Sequence, residues 1–184
     1  MKQNKIENPS QAQIEQIIIL FNQGKLLDVI KKTKLLIAKY PNSIFLWNIL
    51  GVSHARQKKL RNAKKCFENS IKIKPNFVEA HYNLGKTQKE LGNLTDAISS
   101  YMEAIKIKPA YAEAYNELGG AQIELGNIKD AKSSYLKAIQ LNPNYAECYN
   151  NYTDAVKIKI NDPILSQLEK LVNSKKLSEK QKRY

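Results

Sequence analysis

The 184-residue chain is 42% hydrophobic and 26% charged, which is enough for one globular domain or one short repeat array and does not require two domains. Its formal net charge of +13 brings anionic partners, nucleic acid or a membrane surface, into consideration. The two cysteines, Cys66 and Cys148, exclude a disulfide framework and a metal site of recognised spacing, and they suit a reducing interior.

Residues 1–9 are expected to form a flexible N-terminus. Glu7, Asn8 and Pro9 stand where a secretory signal needs an apolar core, and the apolar run at 17–21 is too short to span a membrane. A soluble, cytoplasmic chain is therefore expected. From Ser10 onward the prolines act as a ruler, because Pro41, Pro75, Pro109 and Pro143 follow one another at intervals of 34 residues. A fixed period of that length predicts a helix-turn-helix solenoid, here as an atypical capping repeat at 10–43 and full repeats at 44–77, 78–111 and 112–145.

Within this register Gly51, Gly85 and Gly119 coincide, as do Leu50, Leu84 and Leu118. Ala63, Ala97 and Ala131 also align, followed by Phe67, Tyr101 and Tyr135. Glycine inside a helix costs about 1 kcal/mol relative to alanine, so the first set needs close approach of the paired helix, where the three alanines are also small. Gly24, Gly92 and Gly126 fall where each first helix should stop and turn through a left-handed conformation. Lys58 holds that place in the 44–77 repeat and is expected to make a less comfortable turn. The residue before each proline is driven towards extended geometry, which closes the second helix.

The pattern resembles the tetratricopeptide repeat. The 78–111 repeat carries His81, Leu84-Gly85, Gln88, Ala97, Tyr101, Ala104 and Pro109 at the signature positions, and the 112–145 repeat carries Tyr115, Leu118-Gly119, Gln122, Ala131, Tyr135, Ala138 and Pro143. The 44–77 repeat supplies Trp47, Leu50-Gly51, His54, Ala63, Phe67, Ser70 and Pro75. The resemblance implies an all-α, right-handed α-solenoid of stacked helix-turn-helix repeats. After Pro143 a partial repeat and linking helix is expected over 146–174, with Asp162-Pro163 as the helix start. Ser178 and Gln181 have capping-box spacing, so 175–184 is expected to be the start of a truncated helix and the chain a piece of a longer protein.

More narrowly, 20–25, 41–51 and 161–182 resemble bacterial proteins that fuse such an array to a sulfotransferase. A free-standing adaptor and the array of an O-linked N-acetylglucosamine-type glycosyltransferase are the alternatives. No glycine-rich phosphate loop is present, and Gly119-Gly120, the only glycine pair, belongs to the repeat. His54 and His81 occupy signature aromatic positions and are expected to be packed. Cys66 and Cys148 lie beside packing positions and are expected to be small buried hydrophobes. No catalytic residue, cofactor or metal site is expected, and the chain itself is not expected to be an enzyme.

Stacked helix pairs offer a concave face lined by the first helix of each repeat, suited to extended peptides. The resemblance places groove residues at Phe45, Asn48, Val52 and Arg56 in 44–77, and at Glu79, Tyr82, Asn83, Lys86 and Lys89 in 78–111. It places Glu113, Asn116, Glu117, Gly120 and Glu124 there in 112–145, then Glu147, Asn150, Asn151, Asp154 and Lys157 in the partial repeat. Glu113, Glu117, Glu147 and Asn151 stand where a carboxylate clamp needs basic residues, so that clamp is disfavoured. Asn83 and Asn151 resemble rungs of the asparagine ladder of the glycosyltransferase arrays, which Ile49 and Glu117 interrupt. The expected partner is thus a protein or peptide.

The 44–77 repeat carries eight basic residues and one acidic residue, concentrated in RQKKLRNAKK at 56–65. Such a patch on the turn and second helix would face away from the groove and could meet nucleic acid through salt-sensitive contacts. It lacks interleaved aromatics for base stacking, so a solvated face is favoured over nucleic-acid binding. No membrane partner is expected.

Overall fold

The structure, a computed structural model, describes residues 8–155. Its elements are α1 (Gln11–Asn22), α2 (Leu26–Lys39), α3 (Ile44–Arg56), α4 (Leu60–Ile73), α5 (Val78–Glu90), α6 (Leu94–Ile107), α7 (Ala112–Glu124), α8 (Ile128–Leu141) and α9 (Ala146–Ala155). The described residues are all-α, and their helix pairs follow the 34-residue period of the sequence. The first seven residues of the expected N-terminus, the linking helix up to 174 and the expected helix at 175–184 lie outside the described residues. Among the described residues no helix is long and apolar enough to cross a membrane.

The chain divides into two compact units, Met1–Ile107 with α1 to α6 and Lys108–Tyr184 with α7 to α9. In the first unit α3 packs on α4 and α5 on α6, while α2 meets α3 and α4 meets α5. In the second unit α8 is packed between α7 and α9. Each second helix is anchored by the same stripe. Ala63, Cys66, Phe67 and Ser70 are the buried residues of α4, and Ala97, Ser100, Tyr101 and Ala104 are those of α6. The i, i+3, i+4, i+7 spacing keeps them on one face of a 3.6-residue helix. In the second unit Ala131, Tyr135, Ala138 and Ile139 of α8 form one cluster with Cys148, Tyr149 and Tyr152 of α9.

The helical glycines meet the paired helix closely, as expected, but through its aromatic rather than its alanine. A Cβ on Gly51 would meet the Phe67 ring at 2.6 Å; on Gly85 or Gly119 it would meet the Tyr101 or Tyr135 ring at 2.7 Å. The small residue therefore makes room for the aromatic four positions beyond the alanine, because that ring lies flat against the first helix.

The ends of α1, α3, α5 and α7 close alike. The Lys25 N–H bonds to the Leu20 carbonyl and the Gly24 N–H to that of Phe21, and the same paired bonds recur at Lys59 and Lys58, Asn93 and Gly92, and Asn127 and Gly126. The turn residue has φ of 71° at Gly24, 79° at Gly92 and 85° at Gly126, and Lys58 is forced into the same region at 57°. A side chain there costs roughly 1–2 kcal/mol. Lys58→Gly is therefore expected to stabilise the fold by about 0.5–1 kcal/mol after the unfolded-state entropy of glycine is counted. The lost pair with Glu90 is exposed and contributes little. Urea unfolding of the variant measures this, and an unchanged midpoint would show that Lys58 is unstrained.

One buried contact distinguishes the 44–77 repeat. Ser100 donates to the Gln88 Oε1 at 2.7 Å, and Ser134 donates to that of Gln122 at 2.7 Å, each bond joining a first helix to its partner. His54 and Cys66 occupy the equivalent positions, both buried, and His54 Nδ1 has no hydrogen-bond partner. Burial first, then the charges of Lys34 and Lys59, hold the imidazole below its ordinary pKa of 6.5. The unfolded chain thus binds this proton more readily, so the stability contributed by neutral His54 is present above pH about 6.5 and is lost as the pH falls below it. Melting wild type and His54→Gln between pH 7 and 5 should show a smaller acid-dependent loss in the variant. Parallel curves would mean that His54 is protonated as easily folded as unfolded.

Candidate functional site

The exposed faces of the first helices hold the residues singled out in the sequence. In the first unit, α3 presents half-buried Phe45, Asn48 and Val52 and exposed Arg56, while α5 presents exposed Glu79 and Lys86 and half-buried Tyr82, Asn83 and Lys89. Asn83 Nδ2 lies 3.5 Å from Asn48 Oδ1, at the long limit of a hydrogen bond. The expected rung at Ile49 is thus filled by the residue before it. Phe45 stands apart from this pair, lining a separate pocket of about 830 Å3 with Ile14, Asn42 and Lys74 and packing on the Ile17 and Leu46 core.

At the other end of α3 and α5, Val52, Arg56, Asn83 and Lys86 line one pocket of about 280 Å3. The Arg56 guanidinium lies 4.2 Å from the centre of the Phe21 ring of α1, a cation–π contact that holds it in place. Lys86 Nζ lies 5.6 Å from the centre of the Tyr82 ring. The basic run at 56–65 is therefore divided. Arg56 belongs to this pocket, Lys58 and Lys59 form the turn, and Arg61, Lys64 and Lys65 lie on α4.

In the second unit the face is acidic. Glu113 and Glu124 of α7 and Glu147, Asn150 and Asp154 of α9 are exposed, and Glu117, Gly120 and Asn151 are half-buried. Asn116 departs from its expected place in the groove, being only 3% exposed. It accepts from Asn151 Nδ2 at 3.0 Å and donates to the Tyr145 hydroxyl at 3.3 Å, so it supports the face from beneath. Here too the rung expected at Glu117 is filled by the residue before it. Lys157 lies outside the described residues.

Titration behaviour registers the same carboxylates. Burial, then Glu147, Glu113 and Glu117, push the Tyr145 hydroxyl up to about 12. Burial pushes the Cys66 thiol up to about 11 and the Cys148 thiol up to about 12, so both stay protonated at neutral pH and neither is an activated nucleophile. His81 is half-buried and hydrogen-bonds the Pro75 carbonyl at 2.8 Å, as Trp47 does that of Pro41 at 2.7 Å, so both tie a helix to the preceding turn.

Sequence reasoning missed Arg56 on Phe21 and the one-residue offset of the asparagine pairs. The 35-residue intervals from Asn48 to Asn83 and from Asn116 to Asn151 were visible, but a strict 34-residue alignment hides them.

The repeated helix pairs, with glycine facing an aromatic ring and a shared left-handed turn, define a helical-repeat protein. Models described as TPR repeat match residues 51–92 and 88–126, and one described as tetratricopeptide repeat matches 112–145. Together they span just over half of the 184 residues, and the chain belongs to the tetratricopeptide repeat family.

Among curated proteins, the peroxisomal targeting signal receptors of Candida glabrata and Saccharomyces cerevisiae are each 35% identical to the chain over 52 residues. That stretch is 28% of this chain and only 9% and 8% of the two receptors. Among solved structures, MamA aligns with a TM-score of 0.77 at 22% identity, over 90% of this chain and 95% of its own. YrrB, described as a TPR protein with an unusual peptide-binding site, aligns with a TM-score of 0.70 at 18% identity, over 92% and 87%. The first TPR of Spaghetti (RPAP3), bound to the HSP90 peptide SRMEEVD, aligns with a TM-score of 0.60 at 22% identity, over 61% and 89%. At these identities the structural likenesses establish the fold.

Proposed function

We propose that the chain is a protein-interaction module that holds extended polypeptide against the exposed faces of its first helices. The observation that carries this is the pair of asparagine contacts, Asn48 with Asn83 in one unit and Asn116 with Asn151 in the other. A side-chain amide has two donor hydrogens and a two-lone-pair acceptor. Asn83 therefore keeps one N–H and its carbonyl for a peptide backbone, and Asn151 does likewise. Recognition through the backbone tolerates varied sequences, while neighbouring charges bias the choice. The described relative bound to an HSP90 peptide and the peptide-binding site named for YrrB support the same reading.

Panning random dodecapeptides displayed on phage against the full chain tests it. Enriched peptides are expected to lose affinity uniformly with Asn83→Ala or Asn151→Ala while circular dichroism stays unchanged. No enrichment over an unrelated helical protein, or enriched peptides indifferent to both substitutions, would sink it.

The module is further proposed to be the recruiting arm of a larger bacterial transferase of the sulfotransferase kind, itself without catalytic residues. The resemblance at 20–25, 41–51 and 161–182 supports this context, and free, buried Cys66 and Cys148 support a reducing, cytoplasmic setting. A full-length parent with no phosphate-cradling loop would remove the transferase context and leave the binding module.

A further inference from the structure

The pocket of about 830 Å3 in the first unit is built from turns and helix ends, with Asn42 and Ser43 before α3, Lys72 and Ile73 closing α4 and Lys74 after it. Register explains why space is left there. The residues in step with Ser43 are Phe77, Tyr111 and Tyr145, so a ring stands before α5, α7 and α9 where α3 has only a hydroxymethyl group. The residues in step with Phe45 are Glu79, Glu113 and Glu147, first-turn carboxylates that offset the positive N-terminal end of each of those helices. The first turn of α3 holds no acidic residue. The Gln13, Ala80, Ala114 and Cys148 N–H groups each bond back to the carbonyl before their own helix, within 3.1 Å, and the Leu46 N–H of α3 does not. Ser43 supplies a second, independent sign. It is only 5% exposed and lines the pocket, yet it makes no capping bond and its hydroxyl has no hydrogen-bond partner among the described residues. A buried polar group that opens onto a cavity is expected to meet its partner there.

We infer that this pocket binds a phosphate group, free or as the monoester of a small organic molecule, at the N-terminus of α3 between Ser43 and the lysines that end α4. This ligand is separate from the polypeptide proposed above. Lys72 and Lys74 are exposed, line the same pocket and pair with no carboxylate among the described residues. Three backbone N–H groups, one hydroxyl and two ammonium groups are more donors than the two oxygens of a carboxylate can share. A phosphate monoester brings three strong acceptor oxygens and a charge near −2, so it fits the set better. The aligned peptide dipoles of α3 favour the same charge, as at other phosphate-binding helix ends. Ile14, Phe45 and Ile73 give the pocket an apolar wall, and its volume lies within the range of small-molecule sites, about 300–1,000 Å3. There is thus room for an organic body beyond the phosphate.

Titrating inorganic phosphate into the isotope-labelled full chain tests this by nuclear magnetic resonance, with chloride at matched ionic strength as the reference. The largest amide shifts are expected at Ile44, Phe45 and Leu46. Ser43→Ala is expected to weaken binding about tenfold, the loss of one hydrogen bond to a charged group. Replacing Lys72 and Lys74 together by glutamine is expected to cost about as much, from two exposed contacts. Arg61 and Lys65 lie about 10 Å or more further along α4. Their joint replacement by glutamine is expected to leave binding within about twofold, since exposed charges at that distance are screened. Adenosine monophosphate separates the two sources of phosphate. Tighter binding than inorganic phosphate assigns the pocket to a monoester, and equal or weaker binding assigns it to free phosphate, either being within the inference.

Ser43→Asp gives a second readout. Aspartate is among the best helix caps and brings its own negative charge, so this variant is expected to melt higher in chloride and to lose its response to phosphate. Wild type is expected to melt higher in phosphate than in chloride, because a ligand of the folded state stabilises it. No shift at the three amides, or a Ser43→Ala affinity equal to that of wild type, overturns the site. An equal loss on replacing Arg61 and Lys65 overturns it as diffuse attraction. A Ser43→Ala variant that melts lower in chloride, as the loss of a helix cap would make it, also overturns the site, since the hydroxyl would then be capping α3 itself. Far-UV circular dichroism confirms that each variant is folded.

Discussion

Tyr101→Ala is expected to destabilise the first unit by about 3–5 kcal/mol, the range for deleting a large aromatic from a tight core. Tyr101 is 0% exposed and sits in the seam between α5 and α6. Its ring fills the space left by Gly85 and tilts against Tyr82, with centroids 6.1 Å apart at 54°. Two features keep the hole from closing. The ring spans from one helix to the backbone of the other, so no flexible neighbour can move in, and Ala97 and Ala104 on either side are too short to reach. A loss below about 1.5 kcal/mol in urea unfolding would mean that α5 and α6 collapse together, refuting the spacer role.

Gly85→Ala is expected to destabilise by about 1–3 kcal/mol, the usual cost of overpacking. At an open helical position the same change would stabilise by about 1 kcal/mol, so contact geometry decides the sign. The new Cβ would lie 2.7 Å from Cδ1 and Cε1 of Tyr101, and the ring is buried with no room to retreat. Chemical denaturation of Gly85→Ala, Tyr101→Leu and the double variant tests the cause. The double variant should be less destabilised than the sum of the singles, because the smaller leucine leaves space for the methyl group. Additivity would place the cost of the alanine elsewhere.

These two residues also show where sequence reasoning stopped. The period marked Gly85 as needing a close neighbour but assigned that role to Ala97, since small residues invite one another in a one-dimensional alignment. The contact belongs to Tyr101, one turn further along α6, and only the crossing of the two helices reveals it. The capping box of Ser10 and Gln13 is a local Ser-x-x-Gln pattern, and it starts α1 in the repeat that keeps the fewest signature residues. Lys58 was legible because its partners in register are glycines, and a left-handed backbone is a local property that a residue type reports directly.

The candidate site divides along the same line. Which positions lie on the first helices follows from the period, and the resemblance to the repeat family placed Arg56, Asn83 and Lys86 among them. Their convergence on one pocket, the shift from Ile49 to Asn48 in the asparagine pair and the withdrawal of Asn116 beneath Glu117 were not. The sequence by itself determined the helix count per repeat, the turns and the buried stripes, because these depend on contacts within a few residues and on a repeating phase. Only the tertiary structure decided which side chains meet between neighbouring repeats. That depends on how far each helix is rotated and shifted on the next, and a displacement of one residue turns a side chain by about 100° around a 3.6-residue helix.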